Sequence, residues 1–554
     1  MEKNTIIQVT IEDMSDEGLG IGHALGMAVF VKDSVVGDTV RAKIVKVKKN
    51  FAYARLEEVL IPSPDRTKAF CPVARACGGC QLQEMSYEAQ LLLKQRKIRN
   101  NLERIGGFSG LEVLPVIGME EPYRYRNKAQ FPVGMSRDGK LTAGFYAGRT
   151  HSIIDNHDCA IGIDENRPVL ETVLAYMKRN HVPAYDETTH SGTIRHVMTR
   201  WGHATGQLMV VIVAAADRLP AEKDLVRSLL EASERDRWTC RLTSVVLNTN
   251  KAVTNVILGR KNRVLYGQDY IEDRIGDNLY RISSLSFYQV NPVQTEKLYR
   301  TALEYASLTG TEKVWDLYCG TGTISLFLAR KAGSVIGVEI VPEAIENARM
   351  NAELNGIRNA EFLVGKAEDI LPRLAGDQAG TLGAPDVIVV DPPRKGLDRT
   401  VTETILRTLP DRIVYVSCDS ATMARDLRLF AEGGYQIREV QPVDMFPHTV
   451  HVETVCLLSK LSEVKNHISV KVDMNEMDLT AAESKATYQE IKEWVKEKYG
   501  FHVSHLNIAK TKRKCGIIER QNYNLPKSED GRSPETPKEK EEAIIAAFKA
   551  FRMI

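Results

Sequence analysis

The sequence predicts a multidomain protein in which a small N-terminal β-barrel precedes an α+β central region and a doubly wound α/β region. Three observations predict this organisation. The 554 residues are too many for one hydrophobic core. The first 60 residues alternate apolar and polar side chains over short segments, as β-strands do. Between residues 291 and 460, short continuous apolar runs alternate with helical segments, as in a parallel sheet covered by helices.

Composition excludes several classes of protein. The chain has 74 Lys and Arg against 72 Asp and Glu, so any nucleic-acid surface must come from local basic patches. The longest apolar run, residues 208–216, is far shorter than the roughly 20 residues that span a bilayer, and the N-terminus has no apolar signal region. We therefore expect a cytoplasmic protein with no membrane partner. Its nine cysteines are an odd number, which makes disulfides improbable and leaves metal binding or catalysis as roles.

The first predicted region, residues 1–62, reads as five short strands separated by glycine turns, which suits an OB-like barrel. One strand carries a basic run followed by two aromatic residues: Arg41, Lys43, Lys46, Lys48, Lys49, Phe51 and Tyr53. Basic residues beside aromatic rings are suited to contact a nucleic-acid backbone and to stack on bases. A solvated strand face on an ordinary barrel is the alternative interpretation.

The second predicted region, residues 63–290, combines cysteines, helices and strands. Three cysteines, Cys71, Cys77 and Cys80, lie within ten residues, and Cys159 follows much later. Residues 84–105 predict one helix with a basic face. Several alternating runs farther along predict an α+β region whose sheet is mainly antiparallel.

The third predicted region, residues 291–460, contains a strand that runs into a glycine-rich turn, from Asp316 to Thr323. Glycines let the backbone approach a ligand closely. Glu339 ends the next strand, where an acidic side chain can hold the two ribose hydroxyls of a nucleoside. A dinucleotide is the weaker alternative, because the third glycine of its fingerprint is absent.

Two later strand ends also carry polar residues. Asp391 follows the run DVIVV and precedes two prolines, which stiffen the turn and cannot continue a central strand. We interpret this as an active-site loop, with a plain strand-ending turn as the alternative. Cys418 follows the run RIVYV and precedes a helix, whose positive end favours a thiolate. That position predicts a nucleophile, although a buried structural cysteine is the usual role of such a residue.

Glu453 lies in a largely apolar stretch, VHVETVCLL. An unpaired carboxylate in such surroundings has a raised pKa and can accept a proton in catalysis. A structural carboxylate with satisfied hydrogen bonds is the alternative. His448 and His451 lie nearby.

From residue 1 to about 460, the chain resembles the RNA uracil-5-methyltransferases, in particular the ribosomal-RNA branch that carries an iron–sulfur cluster. The resemblance implies that the N-terminal barrel is an RNA-binding TRAM domain and that the α/β region has the Rossmann-like methyltransferase fold. It also implies S-adenosylmethionine as cofactor. Phe287, Gln289 and Asn291 match the family's F-x-Q-x-N motif.

The resemblance assigns site residues one by one: cofactor binding to Gln289, Tyr318, Thr323, Glu339 and Asp391, nucleophilic attack to Cys418 and general-base catalysis to Glu453. These residues cover one reaction cycle, because thiolate addition at carbon 6 of uracil turns carbon 5 into a nucleophile for the methyl group. A base must then remove the hydrogen from carbon 5. At the glycine turn the chain departs from many relatives, which have asparagines where it has Thr321 and Thr323.

The same resemblance makes Cys71, Cys77, Cys80 and Cys159 the ligands of a [4Fe–4S] cluster, which needs four thiolates. Their spacing alone also allows structural zinc. Radical methylthiolation enzymes pair a TRAM domain with an iron–sulfur cluster as well, but the compact C-x3-C-x2-C triad that they need is absent here.

We therefore expect methylation of carbon 5 of a specific uridine in 23S ribosomal RNA, with no obligate protein partner. A tRNA uridine is the close alternative, and a non-catalytic RNA-binding or ribosome assembly factor is the alternative from another class. Residues 461–554 are an extension of unassigned role, with helices at 488–500 and 543–551, a basic cluster at 510–516 and a flexible link at 524–542. The basic cluster is open to two interpretations, RNA contact or a solvated face.

Overall fold

The structure is a computed structural model that describes residues 1–136, 138–148, 150–376, 384–461, 488–515 and 536–551. These residues belong to two compact units, Met1–Ser462 and Glu463–Ile554. Among them, no helix has the length and apolar character needed to cross a membrane. Most of the link predicted at 524–542 lies outside the described residues, which resume at residue 536.

The N-terminal sheet forms because alternate residues of its strands are apolar. In β1 (Ile6–Thr10), Ile7 and Val9 are buried and the other three residues are exposed. The remaining strands are β2 (Asp13–Met14), β3 (Gly20–Ala24), β4 (Met27–Lys32), β5 (Thr39–Val47) and β6 (Phe51–Ile61). Their order is β1-β5-β6-β4-β3-β2, and only the β4–β6 pairing is parallel. The sequence predicted five strands because β2, at two residues, is too short to show alternation.

A long helix follows this sheet. α1 (Tyr87–Asn101) begins after Ser86, whose hydroxyl accepts the N–H of Ala89 at 3.3 Å. The chain then widens into a π-helical turn, Leu102–Gly106, and leaves it through Gly107 at a φ of 78°. The helix predicted at 84–105 is therefore present, but its last turn is not α-helical.

The central sheet has the order β13-β12-β11-β10-β7-β8-β9, with one parallel pairing, β11–β12. Its strands are β7 (Lys128–Met135), β8 (Leu141–Tyr146), β9 (Ile153–Asp155), β10 (Ile194–Trp201), β11 (Gln207–Ala214), β12 (Arg241–Thr249) and β13 (Lys261–Gly267). Helices α2 (Asn166–Arg179) and α3 (Glu222–Arg235) cover one face, where Val197 is buried. The other face, with Met198, packs on the C-terminal sheet. A hairpin of β14 (Tyr270–Ile275) and β15 (Asn278–Ser283) follows.

The C-terminal sheet of this unit has the order β18-β17-β16-β19-β20-β22-β21, and its first five strands are parallel. The strands are β16 (Lys313–Leu317), β17 (Ser334–Glu339), β18 (Ala360–Val364), β19 (Val387–Val390), β20 (Arg412–Ser417), β21 (Tyr435–Val443) and β22 (Glu453–Lys460). Its helices are α4 (Pro292–Ala306), α5 (Thr323–Ala329), α6 (Pro342–Leu354), α7 (Ala367–Ala375), α8 (Arg399–Thr408) and α9 (Ser420–Glu432). The carboxyl ends of the parallel strands meet at one edge, where open α/β sheets bind ligands.

The second unit contains α10 (Tyr488–Tyr499), α11 (His505–Lys514) and α12 (Lys538–Ala550), with a core that includes Ile491 and Phe548. Helix α12 begins at Lys538 and so takes up the end of the predicted link. The predicted basic cluster forms the end of α11, and there Lys514 pairs with Glu541 at 2.8 Å.

Candidate active site

The glycine turn after β16 has a backbone that only a few residue types adopt easily. Tyr318, Gly320 and Gly322 have φ values of 69°, 56° and 77°. A Cβ added at Gly320 would meet no atom within 4 Å, so the turn is open on that side. The carboxylate of Glu339 accepts the N–H of Gly320 at 3.2 Å, which brings the acidic end of β17 against the turn. The open turn and the adjacent carboxylate fit a nucleoside cofactor.

Three further residues surround this turn. Gln289 is buried, and its carbonyl accepts the side-chain N–H of Asn127 at 2.9 Å. The hydroxyl of Thr321 donates to the carbonyl of Phe287 at 3.4 Å, so the F-x-Q-x-N segment lies beside the turn. The hydroxyl of Thr323 instead bonds Tyr299 at 2.8 Å, inside the protein. The structure therefore brings Gln289 and Glu339 to the turn but engages the side chain of Thr323 elsewhere.

Asp316 is a residue at this turn to which the sequence analysis gave no role. It is fully buried at the end of β16, and burial raises the pKa of its carboxyl to about 7. One carboxyl oxygen accepts the hydroxyl of Ser325, and the other has no partner among the described residues. The signal was present in the sequence, because Asp316 opens the motif that predicted the turn.

Asp391, Cys418 and Glu453 lie at the ends of three neighbouring strands, β19, β20 and β22. The N–H of Asp391 donates to the carbonyl of Leu317 at 3.3 Å, which links this loop to the glycine turn. Ser417 pairs with Thr454, so Cys418 and Glu453 are neighbours across β20 and β22. The structure therefore collects these three predicted residues in one place.

Burial and mutual repulsion dominate the electrostatics of this group. Burial, with the nearby charge of Asp391, raises the pKa of Glu453 to about 8, as the apolar sequence around it predicts. Burial also raises the pKa of Asp391 to about 7. The Arg394 guanidinium acts in the opposite direction on Glu453. Both carboxyls can therefore gain or lose a proton near neutral pH.

The prediction that the helix end makes Cys418 a thiolate is wrong for the free protein. Burial, followed by the charges of Glu453 and Asp391, raises the pKa of the Cys418 thiol to about 11. The helix does not compensate, because Asp419 caps α9 and its carboxylate accepts the N–H groups of Ala421 and Thr422 at 3.0 and 3.1 Å. The positive helix end is thus already neutralised beside the sulfur.

An open pocket of about 590 Å³ adjoins the sulfur of Cys418. Its lining includes Cys418, Arg394 and His451, with Lys97 and Asn101 from α1 and Asp16 from the N-terminal sheet. The basic face of α1 was visible in the sequence. Its position beside Cys418 was not, because more than 300 residues separate the two in the chain.

The loop before Glu453, residues 444–452, is held by the segment that contains the cysteines and by α1. The buried Lys94 ammonium donates to the carboxylate of Asp444 at 2.6 Å. The N–H of Leu82 donates to the carbonyl of His448 at 3.0 Å. The amide side chain of Gln90 accepts the backbone N–H of His448 at 2.9 Å. Contacts from residues 82–94 therefore fix the loop that leads to Glu453.

Cys71, Cys77, Cys80 and Cys159 lie close enough for each of their six pairs to interact electrostatically. All four are free thiols. The N–H of Gly79 donates to the sulfur of Cys77 at 3.4 Å. Among the described residues, no group of three or more side chains has the preformed geometry of a metal site. A set of four adjacent thiols with an N–H donor still fits an iron–sulfur cluster chemically.

Known proteins resemble this chain over most of its length. Residues 221–461 match the family described as tRNA (Uracil-5-)-methyltransferase, and residues 2–56 match the TRAM domain. The chain is 50% identical over 466 residues to an uncharacterized RNA methyltransferase of Halalkalibacterium halodurans, which covers 84% of this chain and 98% of that protein. It is 46% identical over 465 residues to one of Clostridium acetobutylicum, covering 84% and 99%.

Among solved structures, the chain resembles the tRNA (uracil-54, C5)-methyltransferase of Pyrococcus abyssi in complex with S-adenosyl-L-homocysteine. The TM-score is 0.66 at 28% identity, over 82% of this chain and 100% of that one.

The α/β sheet with its open glycine turn and Glu339 defines the class of S-adenosylmethionine-dependent methyltransferases. Within that class, the chain belongs to the RNA (uracil-5-)-methyltransferase family, with an N-terminal TRAM domain. The protein is therefore an enzyme, and the alternative of a non-catalytic RNA-binding factor is wrong.

Proposed function

We propose that the protein methylates carbon 5 of a uridine in 23S ribosomal RNA through a covalent bond between Cys418 and the uracil. The observation that carries this proposal is the grouping of Cys418, Glu453 and Asp391 at adjacent strand ends beside an open pocket. Nucleophile, proton acceptor and a second carboxyl are the groups that this chemistry requires.

In the first step the sulfur of Cys418 forms a bond to carbon 6, and the electrons of the 5,6 double bond move toward oxygen 4. The thiol must lose its proton as this bond forms. Asp391 and Glu453, whose pKa values are raised to about 7 and about 8, can each take a proton near neutral pH. The positive charge of Arg394 lowers the pKa of Cys418 and so favours the thiolate.

Carbon 5 then acts as the nucleophile, and S-adenosylmethionine supplies the methyl group. Glu339 and the open turn at Gly320 would hold its nucleoside portion, with Gln289 and Asp391 between it and the target base. Glu453 finally removes the proton from carbon 5. The electrons of that C–H bond restore the double bond, and the bond between carbon 6 and sulfur breaks.

Cys71, Cys77, Cys80 and Cys159 would hold a [4Fe–4S] cluster in this proposal. The cluster would bind together the segments around residues 71–80 and 159. Because the cysteine segment also bonds the loop before Glu453, the cluster would have a structural or RNA-positioning role. It enters no step of the reaction.

The N-terminal sheet supports RNA as the substrate. Phe30, Phe51 and Tyr53 form a half-buried aromatic group with ring centroids 5.5 to 5.6 Å apart. Lys43 and Lys46 lie on the neighbouring strand, and Lys46 is opposite Tyr53 in the register. Rings that stack on bases and cations that meet phosphates are thus adjacent.

A tRNA uridine is the second candidate, and it is favoured by the solved relative from Pyrococcus abyssi, whose name gives tRNA uracil-54 as its target. Ribosomal RNA is favoured by the four cysteines, through the resemblance to the iron–sulfur branch.

The test presents 23S ribosomal RNA and total tRNA, each transcribed with 5-fluorouridine, to the protein with a methyl donor labelled in its methyl group. Fluorine at carbon 5 cannot leave as a proton, so a covalent labelled adduct accumulates on the true substrate. We expect the adduct on 23S RNA and its loss in Cys418→Ala. An adduct on tRNA alone would establish the second candidate, and an adduct that survives Cys418→Ala would refute the nucleophile.

A further inference from the structure

Three cationic side chains, Arg126, Lys128 and Arg200, lie together on the central sheet without an acidic partner. Lys128 on β7 is directly opposite Arg200 on β10 in the antiparallel register. The guanidinium Nε of Arg126 contacts the carbonyl of Lys128 at 3.4 Å. Like charges directly opposite each other destabilise a strand pair, so the fold retains this arrangement at a cost. We call these three residues the cation cluster.

The cation cluster lies on the sheet face that meets the catalytic sheet. Met198 is two residues before Arg200 on β10, so both point to the same face. Met198 belongs to the core that includes Tyr288 and Val389, whereas its neighbour Val197 packs under α2 and α3. Lys128, opposite Arg200, shares that face.

The cluster is also next to the F-x-Q-x-N segment. The guanidinium of Arg200 donates to the carbonyls of Ser284 and Ser286, just before Phe287. Asn127, between two members of the cluster, bonds the carbonyl of Gln289 at 2.9 Å. The glycine turn reaches the same segment through a different residue, Thr321. The cations thus approach the target-base segment from the central sheet and not from the cofactor turn.

The charge of the cluster is not balanced within the described part of the chain. Arg200 is 3% exposed and finds only two carbonyls, and its Nε is buried with no hydrogen-bond partner. Burial, followed by repulsion from Arg200 and Arg126, lowers the pKa of Lys128 to about 7. Burial alone lowers the pKa of Arg200 to about 10. An unpaired buried charge is costly unless a ligand of opposite charge completes the site.

We infer that Arg126, Lys128 and Arg200 form a binding site for a backbone phosphate of the RNA, adjacent to the uridine that is methylated. The inference rests on the proposed action on RNA. Guanidinium groups bind phosphate oxygens through paired N–H donors, and a lysine adds a point charge. A phosphate fixed beside Gln289 sets the distance from the backbone to the extruded base, so the site positions the target nucleotide. The methionine carboxylate of the cofactor is the other anion near this segment.

The test compares Lys128→Gln with Lys128→Arg and with a matched control, Lys178→Gln, which removes an exposed lysine from α2 on the covered face of the same sheet. Binding of poly(U) and of 23S ribosomal RNA is measured over a series of KCl concentrations. Each lost phosphate contact with a single strand lowers the slope of log K against log salt by about 0.7. We expect this change in Lys128→Gln, with affinity roughly tenfold weaker or more, and wild-type behaviour in Lys128→Arg and Lys178→Gln.

Two further readouts separate the possible causes. S-adenosylhomocysteine should bind Lys128→Gln as tightly as wild type, and a loss there would assign the site to the cofactor carboxylate and overturn the inference. The melting temperature of Lys128→Gln should equal or exceed that of wild type, because a repulsion is removed. An unchanged salt slope in Lys128→Gln would also overturn the inference. Wild type that methylates neither RNA would instead refute the proposed function.

Discussion

Replacing Glu453 by glutamine removes a buried charge without changing the shape of the side chain. The pKa of Glu453 is raised from 4.5 to about 8, so ionising it in the folded protein costs about 5 kcal/mol, at about 1.4 kcal/mol for each tenfold change in proton affinity. A carboxyl whose folded pKa is raised loses stability as pH rises from the unfolded pKa to the folded one. Wild type should therefore weaken between pH 4.5 and about 8, and Glu453→Gln should not.

The assay is the melting temperature of both proteins at about pH 5 and about pH 9. Glu453→Gln should be close to wild type at the lower pH and clearly more stable at the higher one, by up to about 5 kcal/mol. Glu361→Gln, which changes an exposed glutamate on β18, is the control and should match wild type at both. A difference between Glu453→Gln and wild type that does not change with pH would refute the reasoning. In catalysis, the same variant should slow turnover by about 10² to 10⁴ and accumulate a methylated covalent adduct on unfluorinated RNA.

Three further predictions use other parts of the molecule. The kcat/KM of wild type should rise with pH through about 8, because Glu453 must lose its proton to act as a base, and a profile that falls over this range would contradict that role. Lys94→Met should destabilise the protein by about 3–5 kcal/mol in urea titrations, since it leaves the carboxylate of Asp444 buried and unpaired, and adding Asp444→Asn should restore part of the loss. Anaerobically purified protein should contain about four iron atoms per chain and Cys80→Ala should lose them, whereas zinc without iron would show a structural zinc site instead.

The strand ends that carry Asp391, Cys418 and Glu453 could be predicted from the sequence, because buried parallel strands have continuous apolar runs whose ends are visible. The pKa of Cys418 could not, since it depends on two carboxyls from other strands and on Asp419, which takes the helix N–H groups first. Local position favoured a thiolate, and tertiary neighbours reversed that result.

The cation cluster illustrates the same limit. Arg126 and Lys128 are close in the sequence, but Arg200 meets them only through the strand register. Nothing local in the sequence indicates which of the 74 basic residues lack an acidic partner. Likewise, helical periodicity predicted α1 well, yet gave no sign that Lys94 on it is buried.

The ion pair between Lys94 and Asp444 also constrains when the active site can form. The two residues are 350 positions apart, so α1 leaves the ribosome long before its partner is synthesised. Until then the Lys94 ammonium has no anion with which to be buried, and the helix remains undocked. Closing so long a loop is a late and slow event in folding. The loop before Glu453 therefore takes its final shape only near the end of synthesis, and a growing chain carries no assembled catalytic centre while most of the protein is already folded.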